Sequence, residues 1–457
     1  MTITQQSTQS KFTRPIIIPR SEHSVSRDNI DDTALRVLYR LHKAGYRAML
    51  VGGGVRDLLL GHAPKDFDIA TNAHPEEVKK LFSNSRLIGR RFRLAHVFFG
   101  REIIEVATFR ASQIDESQND DSKNDDSKND DSQSKDLDRA HDTSGRILRD
   151  NVYGQLDDDV WRRDFTVNAL YYDIADFSIV DYTRAMDDIK NKVMRLIGDP
   201  QTRYREDPVR MLRAIRFAAK LGFSIHPDSE QPIFELGHLL ADIPPARLYE
   251  EVLKLFHSGK GVITLQLLRK YDLLQYLFKA ADTSLKQGNE TFEQFIHLAL
   301  ESTDKRINQG KPVTPAFLFA AMLWGNVDPL FEKFKGDGEP VAIAMQNASS
   351  VVLSQQVKII SIPKRFSMVV RDIWHMQHRF QFRHGRRAKS LLMHKKFRAA
   401  YDFMCIRSQA GEVTDDSCEW WTRIQTLGPQ EQEILLRPAK AKSKNKSTKK
   451  KSAPKKT

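Results

Sequence analysis

Asp66 and Asp68 stand one residue apart at the head of an apolar stretch, DFDIAT. If that stretch is a strand, its period of two sets both carboxylates on one face and Phe67 on the other. Carboxylates side by side repel and are costly to bury unpaired. A divalent cation resolves the conflict, and hard carboxylate oxygens suit Mg2+, with Mn2+ as a substitute. Upstream, Gly52-Gly53-Gly54-Val55-Arg56-Asp57 follows the apolar run RAMLV and leads into VRDLL. Glycines there permit a tight turn and a close backbone approach to an anion. A helix start adds free N–H donors, and Arg56 adds a fork that suits phosphate. Alone, such a turn is structural as often as functional, and it is neither GxGxxG nor a P-loop. Its place just before the acidic pair makes it a phosphate-cradle candidate.

Three further groups carry chemistry. Glu105 sits between Ile104 and Val106 in an apolar run, where a lone Glu is unusual. It either reaches the same cations from a neighbouring strand or faces water at an edge. Arg162-Arg163-Asp164-Phe165-Thr166, with Asn168 after it, gathers charge in a short span. In Glu206-Asp207-Pro208-Val209-Arg210-Met211-Leu212-Arg213, Asp207 suits an N-cap and Pro208 a first helical position. Arg210 and Arg213 would share a face with Asp207. That trio could read a base edge and hold phosphates, or be a plain cap beside salt-bridged arginines.

The elements that must position these groups follow from periodicity. Helical spacing through Ala34, Leu35, Leu38 and Leu41 starts ordered structure near Asp32, and residues 1–31 read as a flexible polar arm. Strands are expected at RAMLV, FDIAT, AHVFF and EIIEVATF, with helices at GGGVRDLL and AHPEEVKKLF. The repeats NDDSK, NDDSK and NDDSQ at 119–133 have no apolar residue, so 110–144 reads as a disordered acidic insertion. From about Tyr204 the three-to-four spacing of PVRMLRAIRFAAKLGF, ARLYEEVLKLF and TLQLLRKYDLLQYLF is helical throughout. The result is a mixed head over 32–203, a helical neck over 204–270 and an all-α body over 271–437, an α+β organisation overall.

Charge narrows the partner. The net charge is +13; nine lysines and no acid lie in 440–457, and ten acids against three lysines lie in 115–138. Without these two segments the remainder carries +11, which suits a polyanion such as nucleic acid. Within 364–407 twelve Lys or Arg face two acids, interleaved with Phe366, Trp374, Phe380, Phe382, Phe397 and Tyr401. Arg383, Arg386, Arg387, Lys395, Lys396 and Arg398 are the phosphate-contact candidates, although most of the rings belong by type in a helix core. The tail 438–457 reads as disordered. Two cysteines allow neither a disulfide framework nor a zinc cluster, which points to a reducing, cytoplasmic setting. No signal pattern opens the chain, and the best apolar run, Ala316 to Trp324, falls well short of the ~20 residues of a membrane span.

In order, LVGGGVRDLLLG, DFD, EIIEVATFR, RRDFTVNALYY and REDPVRMLRAIRFAAKLGF resemble the class II tRNA nucleotidyltransferase and poly(A) polymerase family over Tyr46 to Phe223. GRRFRLAHVFFGREIIEVATFR, KRFSMVVRDIW and HKKFRAAYDFMCIR bring it closer to the bacterial poly(A)-adding branch and extend the likeness to Ile17–Gln425. The resemblance implies a nucleotidyltransferase palm with a small mixed sheet, then helical neck, body and RNA-binding regions. It implies cations on Asp66 and Asp68, with Asp164 ranked before Glu105 as the third carboxylate. It makes Gly52, Gly53, Arg56, Arg163 and Asn168 nucleotide contacts, and Asp207, Arg210 and Arg213 the base-reading group. The implied activity is template-independent addition of AMP from ATP to RNA 3′ ends, by a protein acting as a monomer. A CCA-adding enzyme shares every head motif. A non-catalytic RNA-binding protein is disfavoured by the intact DxD, and a phosphohydrolase fusion finds no clear HD pair.

Overall fold

The computed structural model describes residues 14–89, 93–111, 139–141, 147–150, 153–413 and 416–437. The lysine tail and the NDDSK repeats lie outside them. The chain forms two compact units, Met1–Tyr276 and Leu277–Thr457.

The first unit is built on an eight-stranded sheet. Its strands are β1 (Ile16–Ile18), β2 (Ala48–Val51), β3 (Asp68–Thr71), β4 (Ser85–Ile88), β5 (Leu94–Phe99), β6 (Glu102–Thr108), and, after a separate hairpin of β7 (Arg139–His141) and β8 (Ile147–Asp150), β9 (Leu170–Asp173) and β10 (Ile179–Asp181). Their order is β1-β10-β9-β2-β3-β6-β5-β4. Within this sheet β3 and β6 run parallel and the other pairings are antiparallel. The sheet is mixed, as expected, and larger than the four strands the patterning marked.

Strand β2 shows why the head reads as short apolar runs. Ala48 and Leu50 join a core on one face, with Val37, Leu38 and Leu41 of α1 (Asp32–Lys43). Met49 and Val51 join a second core on the other face, with Leu156 and Val160 of α4 (Leu156–Arg162). Both faces are covered, so the strand has no polar side. Helices α2 (Gly53–Leu59) and α3 (Pro75–Leu81) fall where expected, Pro75 being the first residue of α3.

Two expectations fail here. Residues 16–31 are not a loose arm: β1 pairs with β10, and Val25 and Ile30 are buried in the α1-side core. Their burial depends on strand pairing across most of the head, which local polarity hides. Likewise Arg139–His141, expected within a disordered insertion, forms a strand paired with β8.

Helices α5 (Ala185–Asn191), α6 (Pro200–Glu206), α7 (Val209–Leu221), α8 (Pro227–Leu236), α9 (Pro245–Phe256) and α10 (Gly261–Lys270) follow in the first unit, with a short parallel strand pair, Val193–Met194 with Ser224–Ile225, interrupting the helical run expected from Tyr204. The second unit is helical: α11 (Lys279–Lys286), α12 (Glu290–Asn308), α13 (Pro315–Gly336), α14 (Val341–Ile359), α15 (Lys364–Gln377), α16 (Gly385–Leu392), α17 (Phe397–Gln409), α18 (Ser417–Thr426) and α19 (Pro429–Leu435). Trp374 of α15 is buried and donates its indole N–H to the Ala320 carbonyl of α13 at 3.1 Å. Cys405 and Cys418 form a disulfide between α17 and α18, their Cα atoms 5.0 Å apart. One bond is not a framework, but it removes the support that cysteine usage gave to a reducing compartment. No helix among the described residues is long and apolar enough to cross a membrane.

Ile30 gives the test of the ordered N-terminal segment. Ile30→Ala is expected to lower unfolding stability by about 2–5 kcal/mol in urea titration. A loss under about 0.5 kcal/mol, as on a solvated arm, would contradict its place in the core.

Candidate active site

Asp68 opens β3, and Asp66 lies just before it in an exposed turn. Phe67 and Ile69 belong to the α1-side core, so both carboxylates take the opposite face with Ala70. The parallel register places Glu105 of β6 directly across from Asp68. Val106 joins the core of Ile69, so Glu105 shares the face of Asp68. Neither Asp66 nor Asp68 has a side-chain hydrogen bond or ion pair among the described residues. Surrounding protein, then Glu105, push the Asp68 carboxyl from its ordinary 3.8 up to about 6; Arg163 opposes the shift and Asp66 adds to it. Glu105 Oε1 lies 3.1 Å from His96 Nε2.

Gly52 turns the chain from β2 into α2 with φ of +75°, a conformation that favours glycine. A Cβ at Gly52 would lie 3.5 Å from Arg163 Nη1, so the turn and the RRD loop are close neighbours. A Cβ at Gly53 would meet Arg56 Nη2 at 3.5 Å. Arg56 is only 2% exposed. Its Nε and Nη2 donate to Asp57 Oδ1 at 2.8 and 2.6 Å, and its Nη1 to Asn168 Oδ1 at 2.5 Å. The fork expected to meet phosphate is thus spent on tying α2 to the RRD loop.

That loop is held from all sides. Arg163 donates to the Tyr171 hydroxyl at 2.7 Å and to Asp159 at 3.0 Å. Arg203 of α6 donates to the carbonyls of Arg162 and Arg163 at 3.0 and 2.7 Å. Asp164 accepts from Arg213 Nε at 2.7 Å, from the Phe165 N–H at 2.9 Å and from Asn168 Nδ2 at 3.3 Å. Burial works to raise the Asp164 carboxyl, but Arg213 beside it, with Asn168 and the Phe165 N–H, holds it below the ordinary value.

The expected base-reading trio is not assembled. Asp207 Oδ1 accepts from the Val209 N–H at 3.3 Å, a capping bond one residue ahead of the formal cap Pro208. Its Oδ2 takes Arg247 of α9 at 2.7 Å. Arg210 turns back to Glu206 at 2.8 Å and to the Arg203 carbonyl at 2.7 Å, while Arg213 takes Asp164. Of the partners, Asp57 lies in the marked glycine turn and Tyr171 in RRDFTVNALYY, whereas Asp159, Arg203 and Arg247 were not marked as site residues.

In the second unit, Arg386, Arg387, Lys395 and Arg398 are exposed and Lys396 is half-buried. Arg383 is tied to Asp416 at 2.6 Å, and Arg398 to Asp402 at 3.0 Å. Of the interleaved rings, Trp374, Phe380, Phe397 and Tyr401 are core. Phe382 is 36% exposed, and the Arg387 guanidinium lies 4.8 Å from the centre of its ring.

Residues 48–195 match the family described as "Poly A polymerase head domain", 222–285 "Probable RNA and SrmB- binding site of polymerase A", and 337–457 "Polymerase A arginine-rich C-terminus". The chain is 48% identical to poly(A) polymerase I of Salmonella typhi, over 92% of this chain and 88% of that protein. It is 39% identical to the CCA-adding enzyme of Lactobacillus helveticus, over 49% of each. A solved tRNA-processing enzyme in an apo form shares the fold with a TM-score of 0.56 at 18% identity, covering 88% of this chain and all of that one.

The raised Asp68 carboxyl carries a pH signature. Its contribution to stability is fully present below the ordinary 3.8 and is lost as pH rises through about 6. Metal-free Asp68→Asn is therefore expected to melt above the parent at pH 8, by a margin that vanishes near pH 4 and narrows when Mg2+ is added. Calorimetry in chelator checks this; a lower melting point for Asp68→Asn at pH 8 would contradict it.

Proposed function

The chain belongs to the poly(A) polymerase family of nucleotidyltransferases, and on that premise we propose that it is a polynucleotide adenylyltransferase, adding AMP from ATP to RNA 3′ ends without a template. The observation that carries the site assignment is the pair of unpartnered carboxylates, Asp66 and Asp68, beside the Gly52 turn and Arg163. Likeness to a poly(A) polymerase I runs through both units, whereas likeness to a CCA-adding enzyme covers about half of the chain. This favours repeated AMP addition over CCA addition. The intact acidic pair disfavours a non-catalytic RNA-binding role.

Asp66 and Asp68 fit Mg2+ or Mn2+ by charge, by hard oxygen donors and by having no partner. Among the described residues no three ligating side chains converge on one point. That suits Mg2+, which takes one or two carboxylates and completes its shell with substrate phosphates and water. Bound there, such ions supply Lewis-acid activation of the RNA 3′-hydroxyl and neutralise the triphosphate charge. The chain's own residues do the placing. The Gly52–Gly53 turn and Arg163 take the triphosphate; Arg56, Asn168 and Asp164 keep that wall in position. The 3′-oxygen, losing its proton, forms a bond to the α-phosphorus as the bond to pyrophosphate breaks in line. Glu105 faces Asp68 across the strand pair but also pairs with His96, and Asp164 is taken up by Arg213, so both candidates for a third carboxylate already carry a partner. Reading adenine through Asp207 and Arg210 requires release from Arg247 and Glu206.

RNA and ATP are the partners of this activity, and a role in RNA 3′ polyadenylation and turnover follows. A cytoplasmic place of action rests on where those substrates meet. All residues assigned to transfer lie in the first unit of one chain, so a monomer suffices.

Two outcomes test this reading. With RNA and one nucleotide at a time, ATP is expected to give long tails and the other three at least tenfold less. Asp68→Ala should stop extension while remaining folded, since losing the metal's stabilisation is worth several kcal/mol. Addition of two C and one A to truncated tRNA, followed by arrest, would establish the CCA reading instead. For RNA grip, Arg386→Ala with Arg387→Ala is expected to weaken RNA binding and to flatten the log–log salt slope by up to roughly 0.7 per lost contact. An unchanged affinity and slope would remove this helix from the RNA path.

A further inference from the structure

The second unit contains a cavity of about 310 Å³ that includes none of the residues assigned to adenylyl transfer. Its walls include Trp324, Asp328 and Phe331 of α13, His378 and Phe380 after α15, and Arg407 of α17. Its volume sits at the small end of organic-ligand pockets, roughly 300–1,000 Å³.

The charges around it do not balance. Lys335 is paired with Glu332 at 2.9 Å and Arg407 with Glu412 at 2.8 Å. Glu412 also accepts the Trp324 indole N–H at 2.9 Å. Both cations of the lining therefore already have a carboxylate of their own. Asp328 has no hydrogen bond or ion pair among the described residues. Burial, then Glu412 and Glu332, push its carboxyl up to about 6 against Arg407 and Lys335, which leaves it ionised above neutral pH. His378 Nδ1 is also buried without a partner. Trp324, Phe331 and Phe380 are at most 7% exposed and supply aromatic surface beside the polar groups of the lining.

An unbalanced carboxylate in an aromatic-walled cavity disfavours an anion, and a neutral ligand leaves the charge uncompensated. The Arg407 guanidinium already lies 4.5 Å from the Trp324 ring centre and the Lys335 ammonium 5.6 Å from that of Phe331, so the rings tolerate positive charge beside them. The geometry points to a binding site for a small aliphatic ammonium ion, of the class of diamines and polyamines. Asp328 takes the charged head through a charge-assisted hydrogen bond, and the aromatic walls cover the alkyl stem. A second ammonium reaches the solvent side or the orphaned His378 nitrogen.

The test is calorimetric titration of the full-length protein at pH 8 with putrescine, in saturating Mg2+ so that the head's acidic pair is occupied. One saturable site is expected, at least tenfold weaker in the near-isosteric Asp328→Asn and at least tenfold weaker for the uncharged diol of equal length on the unmodified protein. The diol comparison needs no variant to fold. Equal affinity in Asp328→Asn, equal affinity for the diol, or no saturable binding would each overturn the assignment. So would loss of binding in Asp66→Asn with Asp68→Asn, which would move the amine to the head.

Discussion

Negative charge concentrated at one end of a strand pair sets the terms for the head. Asp68 and Glu105 are register partners in the parallel pairing of β3 and β6, and Asp66 precedes them. Backbone hydrogen bonding and a core on the far face fix these positions, so the carboxylates cannot move apart to relieve their repulsion. The displaced Asp68 carboxyl records that constraint. A cation relieves it, and so does a substrate that arrives carrying cations. The acidic end of these two strands is thereby made attractive to a nucleotide triphosphate, itself an anion, only in company with metal.

Arginine is the counterweight, and most of it is committed within the fold. Arg56, Arg163, Arg203 and Arg213 all converge on the RRD loop, each with named acceptors. Ordered guanidinium forks of this kind make the wall beside the acidic pair rigid, which favours pre-organised placement of reacting atoms. The residues proposed to read the base differ. Asp207 and Arg210 are held by Arg247 and Glu206. The proposed catalytic wall is thus fixed, and the proposed reading site is latched.

Much of this was legible from period and type. The alternation of DFDIAT gave the shared face of Asp66 and Asp68, and the apolar spacing of α1 gave its buried stripe. The same period assigned Glu105 to a face but not to a neighbour, because strand order is not written in any one strand. Only the family resemblance put Asp164 ahead of it. Strand β1 was illegible for a related reason: its three isoleucines gain order only by pairing with residues 179–181. Arg56 looked like a phosphate fork because its internal acceptors, Asp57 and Asn168, depend on how the turn folds back. The cysteines, 13 residues apart, carried no hint that their Cα atoms approach to 5.0 Å.

The second unit adds basic surface on α16 and a separate cavity around Asp328, while the proposed chemistry rests on the acidic pair of the head. Its occupancy is best read by titrating Mn2+ into the protein under electron paramagnetic resonance, with and without a non-hydrolysable ATP analogue. Because two carboxylates alone leave a shell incomplete, binding is expected to be weak without the analogue, at least tenfold tighter with it, and lost in Asp66→Asn with Asp68→Asn. Tight Mn2+ binding that needs no nucleotide and survives both substitutions would place the metal elsewhere and contradict the account.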